Sequence, residues 1–475
     1  MTPTQTILNI FEQLSAIPRG SGREAQISRW LQERAAARGF TSATDEAGNL
    51  LIRVAATAGY ENAPGVVLQG HMDMVCEKTP DSAHDFLTDP IRCIVEGDWL
   101  HADGTTLGAD NGAAIALGLA LAEDPSVAHP ALEMLFTVQE ETGLGGANLL
   151  KPGFIQGKSL LNLDSEDEGT FIVGCAGGQA AHMRLPFTAD EPACETGYSL
   201  RVSGLRGGHS GVDIHKHYAS ANKLITRALF QIQKTAPILL ASLNGGTAHN
   251  AISREASASF ACAEAETVIG AAVRNFERIL NDEFSASESG ISLTLTPVSV
   301  TRAATAADTV KMLNLLMALP HGVAEMSASV EGFVETSSNL ARVELNGDAL
   351  KIVTSQRSTV MTRMEELTER IMAMGRLAGA EVSSGPAYPG WQPDMKSSLL
   401  RRSVETYQAL FGVAPRVQMI HAGLECGIIG AIYGNLEMVS LGVTVENPHS
   451  PGERMYIPSI ERVWRYLITF LAAQR

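Results

Sequence analysis

Residues 65–73 read GVVLQGHMD, in which an apolar run that suits a buried strand leads directly to a histidine and an aspartate. Two other runs, LEMLFTV at 132–138 and SLLNL at 159–163, are equally short and apolar. Between the first and second runs, AAIALGLALA at 113–122 is long and apolar enough to predict a buried helix. Strands that alternate with helices in this way predict an α/β domain with a mixed sheet covered by helices.

The middle of the chain has a different pattern. Strand-like alternation occurs at 198–202, 256–263 and 291–300, and helical patterns occur at 219–234, 267–284 and 358–374. This mixture predicts α+β packing, with helices on an antiparallel sheet. Because the α/β pattern returns after about residue 390, we predict a discontinuous catalytic domain of residues 1–187 and 388–475. Residues 188–387 would form an inserted α+β lid or dimerisation domain.

Composition limits the classes of protein that the chain can belong to. A length of 475 residues with 45% hydrophobic and 19% charged residues is typical of a globular protein of two or more domains. The net charge is −16 and the basic residues are scattered, which argues against nucleic acid and anionic membranes as partners. The six cysteines include no CxxC pair, and the first residues do not resemble a signal peptide. We therefore expect a cytoplasmic location.

Residues able to bind metal or move protons fall at or just past the predicted strand ends. They are His71 with Asp73, Asp110 in GADNG, the pair Glu140 and Glu141, Asp164, and His449 in NPHSPGE. Most of them have an ordinary alternative when taken alone. His71 and Asp73 could make strand-end hydrogen bonds, Asp110 could cap the helix after it, and the glutamate pair could be a solvated turn. A single loop histidine usually has no special role.

The combination favours a metal site. In open α/β sheets, ligands bind at the edge where the parallel strands end. Two histidines with three carboxylates suit two borderline divalent ions, with Asp110 shared between them. Two such ions can hold a hydroxide and polarise a carbonyl together. We predict two divalent ions per chain; zinc is the first choice, and manganese and cobalt remain open because mixed nitrogen and oxygen ligands suit all three.

The ordered segments QGHMDMV, TTLGADNGAA, VQEETGLGGA, LNLDSED and ENPHSPGE resemble those of the M20 metallopeptidases. The segments IPRGSGRE, LRGGHSGVDIH and HAGLECGI are similar to those of its aminoacyl-histidine dipeptidase branch. The resemblance spans essentially the whole chain. It implies hydrolysis of dipeptides, including Xaa-His, with a small peptide as the partner that the site binds.

The resemblance also implies a role for each residue. It implies one metal on His71 and Asp164, a second on Glu141 and His449, Asp110 as the bridge, Glu140 as general base and then acid, Asp73 as the residue that orients His71, and His209 in GGHSG as an oxyanion donor. Asn250 and Arg357 are candidate substrate contacts, since an arginine can bind a peptide carboxylate through two hydrogen bonds. Structural roles for both remain open, as does a pocket-lining or packing role for the segment around Gly423 and Glu425.

One segment departs from the family pattern, and three functions remain as alternatives. Residues 216–220, KHYAS, stand where the branch has a Gly- and Asn-rich stretch, so substrate preference could differ. An N-acyl amino acid amidohydrolase would keep the same ligands. A phosphoesterase is disfavoured by the lack of a P-loop or basic cluster, and a non-catalytic binding protein by the presence of Glu140 and every ligand. The sequence leaves the oligomeric state open, with a homodimer as one alternative.

Overall fold

The computed structural model describes residues 1–194, 196–328 and 330–474. The helices are α1 Pro3–Ser15, α2 Ala25–Ala37, α3 Ala109–Glu123, α4 Gly145–Leu149, α5 Ala221–Thr235, α6 Glu266–Glu283, α7 Ala306–Ala318, α8 Met361–Leu377, α9 Ser398–Phe411, α10 Glu425–Tyr433 and α11 Ile457–Ala472, with a 3-10 turn at Ile214–Lys216.

The strands are β1 Thr41–Thr44, β2 Leu50–Val54, β3 Val66–His71, β4 Cys93–Glu96, β5 Trp99–Ala102, β6 Leu132–Thr137, β7 Ser159–Asn162, β8 Thr170–Cys175, β9 Gly177–Pro186, β10 Ala189–Asp190, β11 Thr196–Ser203, β12 Gly208–His209, β13 Leu239–Gly245, β14 Ala251–Ile252, β15 Ala256–Ala261, β16 Ser292–Ser299, β17 Ala303–Ala304, β18 Gly322–Met326, β19 Val334–Asn346, β20 Ala349–Ser358, β21 Glu381–Ser384, β22 Arg416–Ile420, β23 Glu437–Ser440, β24 Val445–Glu446 and β25 Arg454–Tyr456. The protein is thus a mixed α/β protein, as the sequence predicted.

Two compact units divide the chain. The first contains residues 1–175, 391–419 and the stretch from Leu424 onward, and the second contains residues 176–390 and 420–423. The division falls after residue 175, where the sequence pattern had placed it after 187, because β9 pairs with β20 and β21. The roles of catalytic domain and lid stay predictions.

The first unit is built on an eight-stranded mixed sheet in the order β1-β2-β6-β3-β7-β23-β8-β22. Its centre is parallel, since β3 pairs with β6 and β7, and β23 pairs with β7 in the same direction. The late strand β23 therefore lies between β7 and β8, which are close together in sequence. A separate four-stranded sheet joins β24 and β25 to β5 and β4.

Burial explains why these segments form the centre of the unit. Every residue of β3, β6 and β7 is buried, which is typical of parallel strands covered on both faces. Helix α3 is buried on nearly all sides, and it includes the predicted helix at 113–122. Helix α1 packs against α3 and α11 through the face that carries Ile7, Ile10, Phe11 and Leu14. The predicted helix-covered sheet is confirmed.

The second unit contains a nine-stranded sheet with antiparallel pairing throughout its described ladders. The core of this unit includes buried side chains of α5, α6, α7 and α8. Two long strands, β19 and β20, were not predicted. The helix predicted at 358–374 begins at Met361 instead, because Ser358 is the last residue of β20 and pairs with Thr336. Among the helices that the structure describes, none has the length and apolarity that crossing a membrane requires.

Candidate metal centre

Three neighbouring parallel strands deliver the candidate ligands to one edge of the sheet. β3 ends at His71, β6 ends three residues before Glu140, and β7 ends two residues before Asp164. The register aligns these strand ends, since Gln69 pairs with both Leu135 and Asn162. Residues that follow parallel strands at one edge lie close together, which is why segments far apart in sequence meet here.

His71, Asp110 and Glu141 form the centre of the cluster. One potential ligand atom from each lies within 4.8 Å of the others. The His71 Nε2 is 3.0 Å from Asp110 Oδ1, and the His449 Nε2 is 3.1 Å from Asp110 Oδ2. Asp110 thus uses one carboxylate oxygen toward each histidine. This geometry is the one expected of a carboxylate shared between two cations.

The other two predicted ligands join the same cluster. Asp164 Oδ1 lies 3.4 Å from the His71 Nε2, and Glu141 Oε2 lies 3.1 Å from the His449 Nε2. Glu141 Oε1 is buried and accepts no hydrogen bond from the described residues, and buried Asp164 Oδ1 has only the long contact with the His71 Nε2. Buried carboxylate oxygens without donors are costly unless a cation compensates them. The donor set of imidazole nitrogens and carboxylate oxygens fits borderline divalent ions.

The pKa values show how strongly these groups depend on positive charge. Hydrogen bonds to Asp110 and Glu141 raise the pKa of His449 to about 11. Burial alone would lower the pKa of His71, but Asp164 and Asp110 raise it well above its usual range. Burial raises the pKa of Asp164 to about 6. Bound cations would supply this positive charge and leave both imidazoles neutral, the state in which they bind metal.

The sequence left helix capping open for Asp110, and the structure gives a different answer. Helix α3 is capped at Gly108, and Asp110 lies in the first turn with non-helical backbone angles, φ −80° and ψ 106°. Its peptide bond to Asn111 is cis. Its carboxylate points to the two histidines rather than to the helix amides.

Asp73 has more partners than the sequence indicated. Its Oδ1 lies 3.4 Å from the Nδ1 of His71, while its backbone oxygen is closer to that nitrogen, at 3.1 Å. Its carboxylate also accepts hydrogen bonds from the Ser21 hydroxyl and from the backbone N–H groups of Glu140 and Glu141. Asp73 therefore joins the end of β3 to the turn that carries the two glutamates.

Glu140 has the properties of a group that exchanges protons. Burial raises its pKa well above the usual range for a carboxyl group, and the negative charges of Asp164 and Glu141 act in the same direction. A general base works best when its pKa is close to the working pH. Local positive charge would lower the pKa from this raised value towards neutrality.

Several residues that support the site received no individual role from the sequence. Arg19 is buried and donates to the backbone oxygens of Met72, Asp73 and Gly108. Asn111 accepts from the His71 N–H and donates to the Leu163 oxygen. Glu453 is buried against the loop that carries Asp110. Arg19 and Glu453 lie within segments that resemble the family. A charged residue next to Gly or Pro in such a segment is the sequence signal by which these two supporting residues could have been found.

The second unit holds His209, which lies on β12 opposite Ala251. The His209 Nδ1 accepts hydrogen bonds from the backbone N–H groups of Val212, at 3.0 Å, and Gly211, at 3.3 Å. Because Nδ1 accepts, the proton of the neutral ring is on Nε2. Asn250 is exposed beside this strand pair, and its backbone oxygen accepts from the Ser210 N–H.

Arg357 and His421 lie close to His209 within the second unit. Nη1 of Arg357 donates to the Tyr388 hydroxyl at 2.8 Å, and its buried Nε has no hydrogen-bond partner among the described residues. Burial and the charge of Arg357 lower the pKa of His421 to about 3, so this imidazole is neutral. A side chain on Gly211 would collide with the His421 backbone oxygen and press against His209 and Arg357. Gly211 therefore permits the close approach of these groups.

The segment at 216–220, which departs from the family pattern, is connected to His209 through Asp213. The Lys216 amine forms an ion pair with Asp213 at 2.7 Å, and Asp213 Oδ2 accepts from the His209 N–H at 2.8 Å. The Ser220 hydroxyl is hydrogen-bonded to that of Ser253. An effect of this segment on substrate preference stays a prediction.

The fold and this cluster point to a class, the mixed α/β hydrolases with a candidate metal site at a sheet edge. The family model described as Peptidase family M20/M25/M40 matches residues 67–473. The chain belongs to the M20 peptidase family and is a peptide hydrolase. The resemblance seen in the sequence motifs is confirmed.

Similar proteins support this family assignment over the full length. The chain is 40% identical over 473 residues to the cytosol non-specific dipeptidase of Escherichia coli K12, covering 98% of this chain and 97% of that protein. It is 36% identical to the solved aminoacylhistidine dipeptidase of Vibrio alginolyticus, with a TM-score of 0.86 and 99% and 96% of the two chains covered. A tripeptidase from Staphylococcus aureus, at 19% identity and a TM-score of 0.59 over 99% and 98% of the chains, shares the fold.

Proposed function

We propose that this protein hydrolyses dipeptides, including Xaa-His dipeptides, at the cluster of His71, Asp110, Glu141, Asp164 and His449. The observation that carries the proposal is the shared carboxylate of Asp110, which lies 3.0 Å from one histidine and 3.1 Å from the other. Support for the dipeptide substrate comes from the similar proteins of E. coli and V. alginolyticus, whose names identify them as dipeptidases. The E. coli name also supports a cytosolic location.

The five residues would hold two divalent ions, for which zinc is our first choice. His71 and Asp164 would bind one ion, Glu141 and His449 the other, and Asp110 both. When bound, such ions lower the pKa of water and polarise a carbonyl. Asp73 fixes the direction of the His71 ring through the contacts at Nδ1, because a metal-bound imidazole needs an acceptor on its second nitrogen.

Glu140 would carry the proton during the reaction. Its carboxylate accepts a proton from the attacking water, and the remaining hydroxide forms the new C–O bond at the peptide carbonyl. When the C–N bond breaks, Glu140 returns the proton to the departing amine. The raised pKa of Glu140 supports this role, since the protonated form must be stable enough to persist between the two transfers.

Residues of the second unit would recognise the peptide. The His209 Nε2–H is the kind of donor that stabilises a developing oxyanion. Arg357 is buried close to the neutral imidazole of His421, and its charge suits the carboxylate at the end of a dipeptide. The exposed Asn250 would make a further polar contact. A homodimer stays a prediction.

Replacing Glu140 with glutamine tests the catalytic assignment. We expect turnover of Ala-His to fall about 10²–10⁴-fold, because the variant cannot accept a proton, while zinc content per chain stays the same. Asp167→Asn is a matched control, since Asp167 is an exposed carboxylate that lies beyond β7 and pairs with Arg416. Near-normal hydrolysis by the Glu140→Gln protein, measured with metal analysis, would refute the role of Glu140.

A substrate panel tests the reaction class. We expect the zinc-loaded or manganese-loaded protein to cleave Ala-His and Gly-Gly faster than an N-acetyl amino acid, and to leave a phosphoester intact. Preference for the N-acetyl amino acid would favour an amidohydrolase on the same ligands. Binding of a dipeptide without hydrolysis would identify a binding protein instead.

A further inference from the structure

The loop that carries Asp110 is held by a single carboxylate. Glu453 Oε2 accepts hydrogen bonds from the backbone N–H groups of Leu107, at 2.7 Å, and Gly108, at 2.9 Å. Its Oε1 accepts from those of Ala109, at 2.7 Å, and Asp110, at 3.3 Å. Gly108 has a left-handed φ of 72°, and turns of this kind let successive N–H groups converge on one anion. The Glu453 side chain therefore fixes four consecutive peptide units.

Arg19 holds the same loop from its carbonyl side. The guanidinium donates to the Gly108 oxygen and, through Nη1, to the oxygens of Met72 and Asp73, each at 3.0 Å. A side chain on Gly108 would meet the Arg19 guanidinium at 2.5 Å, so the position requires glycine for space as well as for its φ. Arg19 and Glu453 are both 2% exposed. Because the two side chains have opposite charges, their attraction offsets part of the free-energy cost of burying them.

Glu453 also belongs to the segment that carries His449. Its own N–H donates to the Ser450 oxygen at 3.0 Å, which closes a tight turn directly after His449. The His449 Nε2 is 3.1 Å from Asp110 Oδ2. The Glu453 side chain thus joins two loops that are far apart in sequence. One loop carries Asp110, the other carries His449, and these two side chains face each other.

We propose that Glu453 is a positioning residue that sets the distance between Asp110 and His449, and thereby the affinity of the site for metal. This inference rests on the metal ligands of the proposed function and adds a residue that binds no metal itself. Four backbone hydrogen bonds to a buried charged acceptor leave the loop little freedom. Without these hydrogen bonds, metal binding itself would have to order Asp110. The free-energy cost of that ordering would appear as a weaker affinity for metal.

The experiment compares zinc affinities of the metal-free full-length wild type and Glu453→Gln, by competition with a chromophoric chelator. Glutamine keeps the volume but replaces one acceptor oxygen with a donor that faces N–H groups. We expect affinity to fall about 10–100-fold, as for other residues that orient metal ligands. Glu446→Gln is the matched control: it removes a carboxylate on the neighbouring strand that pairs with Arg454, and its affinity should stay at the wild-type value.

A double-mutant cycle separates positioning from general weakening of the fold. In an Asp110→Asn background, Glu453→Gln should reduce zinc affinity far less than in the wild type, because the ligand that it positions is already impaired. Equal losses in both backgrounds would overturn the proposal. If Glu453→Gln does not fold, Glu453→Asp, whose shorter carboxylate cannot reach all four N–H groups, replaces it; wild-type affinity in that variant would also overturn the proposal.

The outcome is distinguishable from failure of the proposed function. Equal zinc affinity in wild type and Glu453→Gln refutes the positioning role and leaves the dipeptidase assignment intact. A wild type that binds no zinc and cleaves no dipeptide refutes the proposed function, and the positioning role with it. A wild type that binds zinc without cleaving dipeptides, together with a weakened variant, supports the positioning role alone.

Discussion

Glu425 is a fully buried acid in the first turn of helix α10. Its Oε2 lies 2.5 Å from the Gln69 amide nitrogen and 2.7 Å from the Thr137 hydroxyl. Burial raises its pKa from 4.5 to about 8, a larger effect than these hydrogen bonds. The carboxyl group is therefore largely protonated at pH 7 in the metal-free protein. It joins the first turn of α10 to β3 and β6, next to the strand ends that carry the candidate metal ligands.

From the raised pKa of Glu425 we predict how the stability of the protein depends on pH. Between pH 4.5 and about 8 the folded protein keeps the Glu425 proton that the unfolded chain has lost. Its contribution to stability therefore falls as the pH rises through this window, by up to about 1.4 kcal/mol per pH unit. In metal-free Glu425→Gln we expect a flatter dependence of the free energy of unfolding on pH, measured by urea denaturation. Parallel curves for the two proteins would contradict the raised pKa.

The candidate metal ligands could be selected from the sequence residue by residue, and so could Asp73, whereas supporting residues such as Glu453 could not. His71, Glu141 and Asp164 follow recognisable apolar strands, so the sequence alone predicts that they meet at one sheet edge. Glu425 and Glu453 look like ordinary charges beside a helix and a turn. Their importance comes from contacts with residues hundreds of positions away, such as Leu107, and no local pattern encodes such contacts.

At the scale of elements, the last turn of helix α7 is capped by a partly buried amine from another helix. The Lys223 Nζ, on α5, donates to the backbone oxygens of Leu316, Met317 and Leu319 at 2.8–3.0 Å. These are last-turn carbonyls that a helix leaves without intrahelical partners. Burial lowers the pKa of Lys223 to about 8, so the amine remains largely protonated at pH 7.

Lys223→Met should lower the free energy of unfolding by about 1–3 kcal/mol, because carbonyls that remain buried lose their donor. Lys311→Met is the control on α7 itself. Lys311 is 45% exposed and pairs with Asp308 in the same helix, so its loss should change stability by less than about 0.5 kcal/mol. Urea denaturation of the two variants measures both effects, and equal effects would refute the capping role.

Among the strands that the sequence analysis did not predict, β19 carries a run of buried polar residues. Within β19, Thr336 to Asn339 are all buried, although none is apolar. The Thr336 hydroxyl bonds that of Ser358 on β20, and the Asn339 amide donates to the Ala251 oxygen. Because neighbouring strands supply these partners, burial of the segment is a property of the assembled sheet. The apolar pattern on which the prediction depended does not exist there.

For the molecule as a whole, the candidate ligands link distant parts of one unit. Four lie between residues 71 and 164, and the fifth, His449, comes from the last stretch of the chain. Metal should therefore stabilise the folded first unit, by about 2.7 kcal/mol when free zinc is a hundredfold above its dissociation constant. We expect EDTA treatment to lower the melting temperature and zinc to restore it.

His449→Ala is the variant for comparison. It removes the candidate ligand from the last stretch of the chain, so zinc should raise its melting temperature less than that of the wild type. Calorimetry of both proteins, with and without zinc, measures the difference. A melting temperature that does not respond to zinc in the wild type would contradict a role for metal in holding these stretches together.

The position of β23 between β7 and β8 has a consequence for biosynthesis. A ribosome finishes both neighbours long before it reaches residues 437–440, so the nascent sheet has an open slot with unpaired backbone groups on each side. During that interval the slot can capture a strand from another chain, and a chaperone would protect it. A premature stop codon before residue 437 would therefore do more than shorten the product. The truncated protein would keep these strand edges unpaired and would be prone to aggregate.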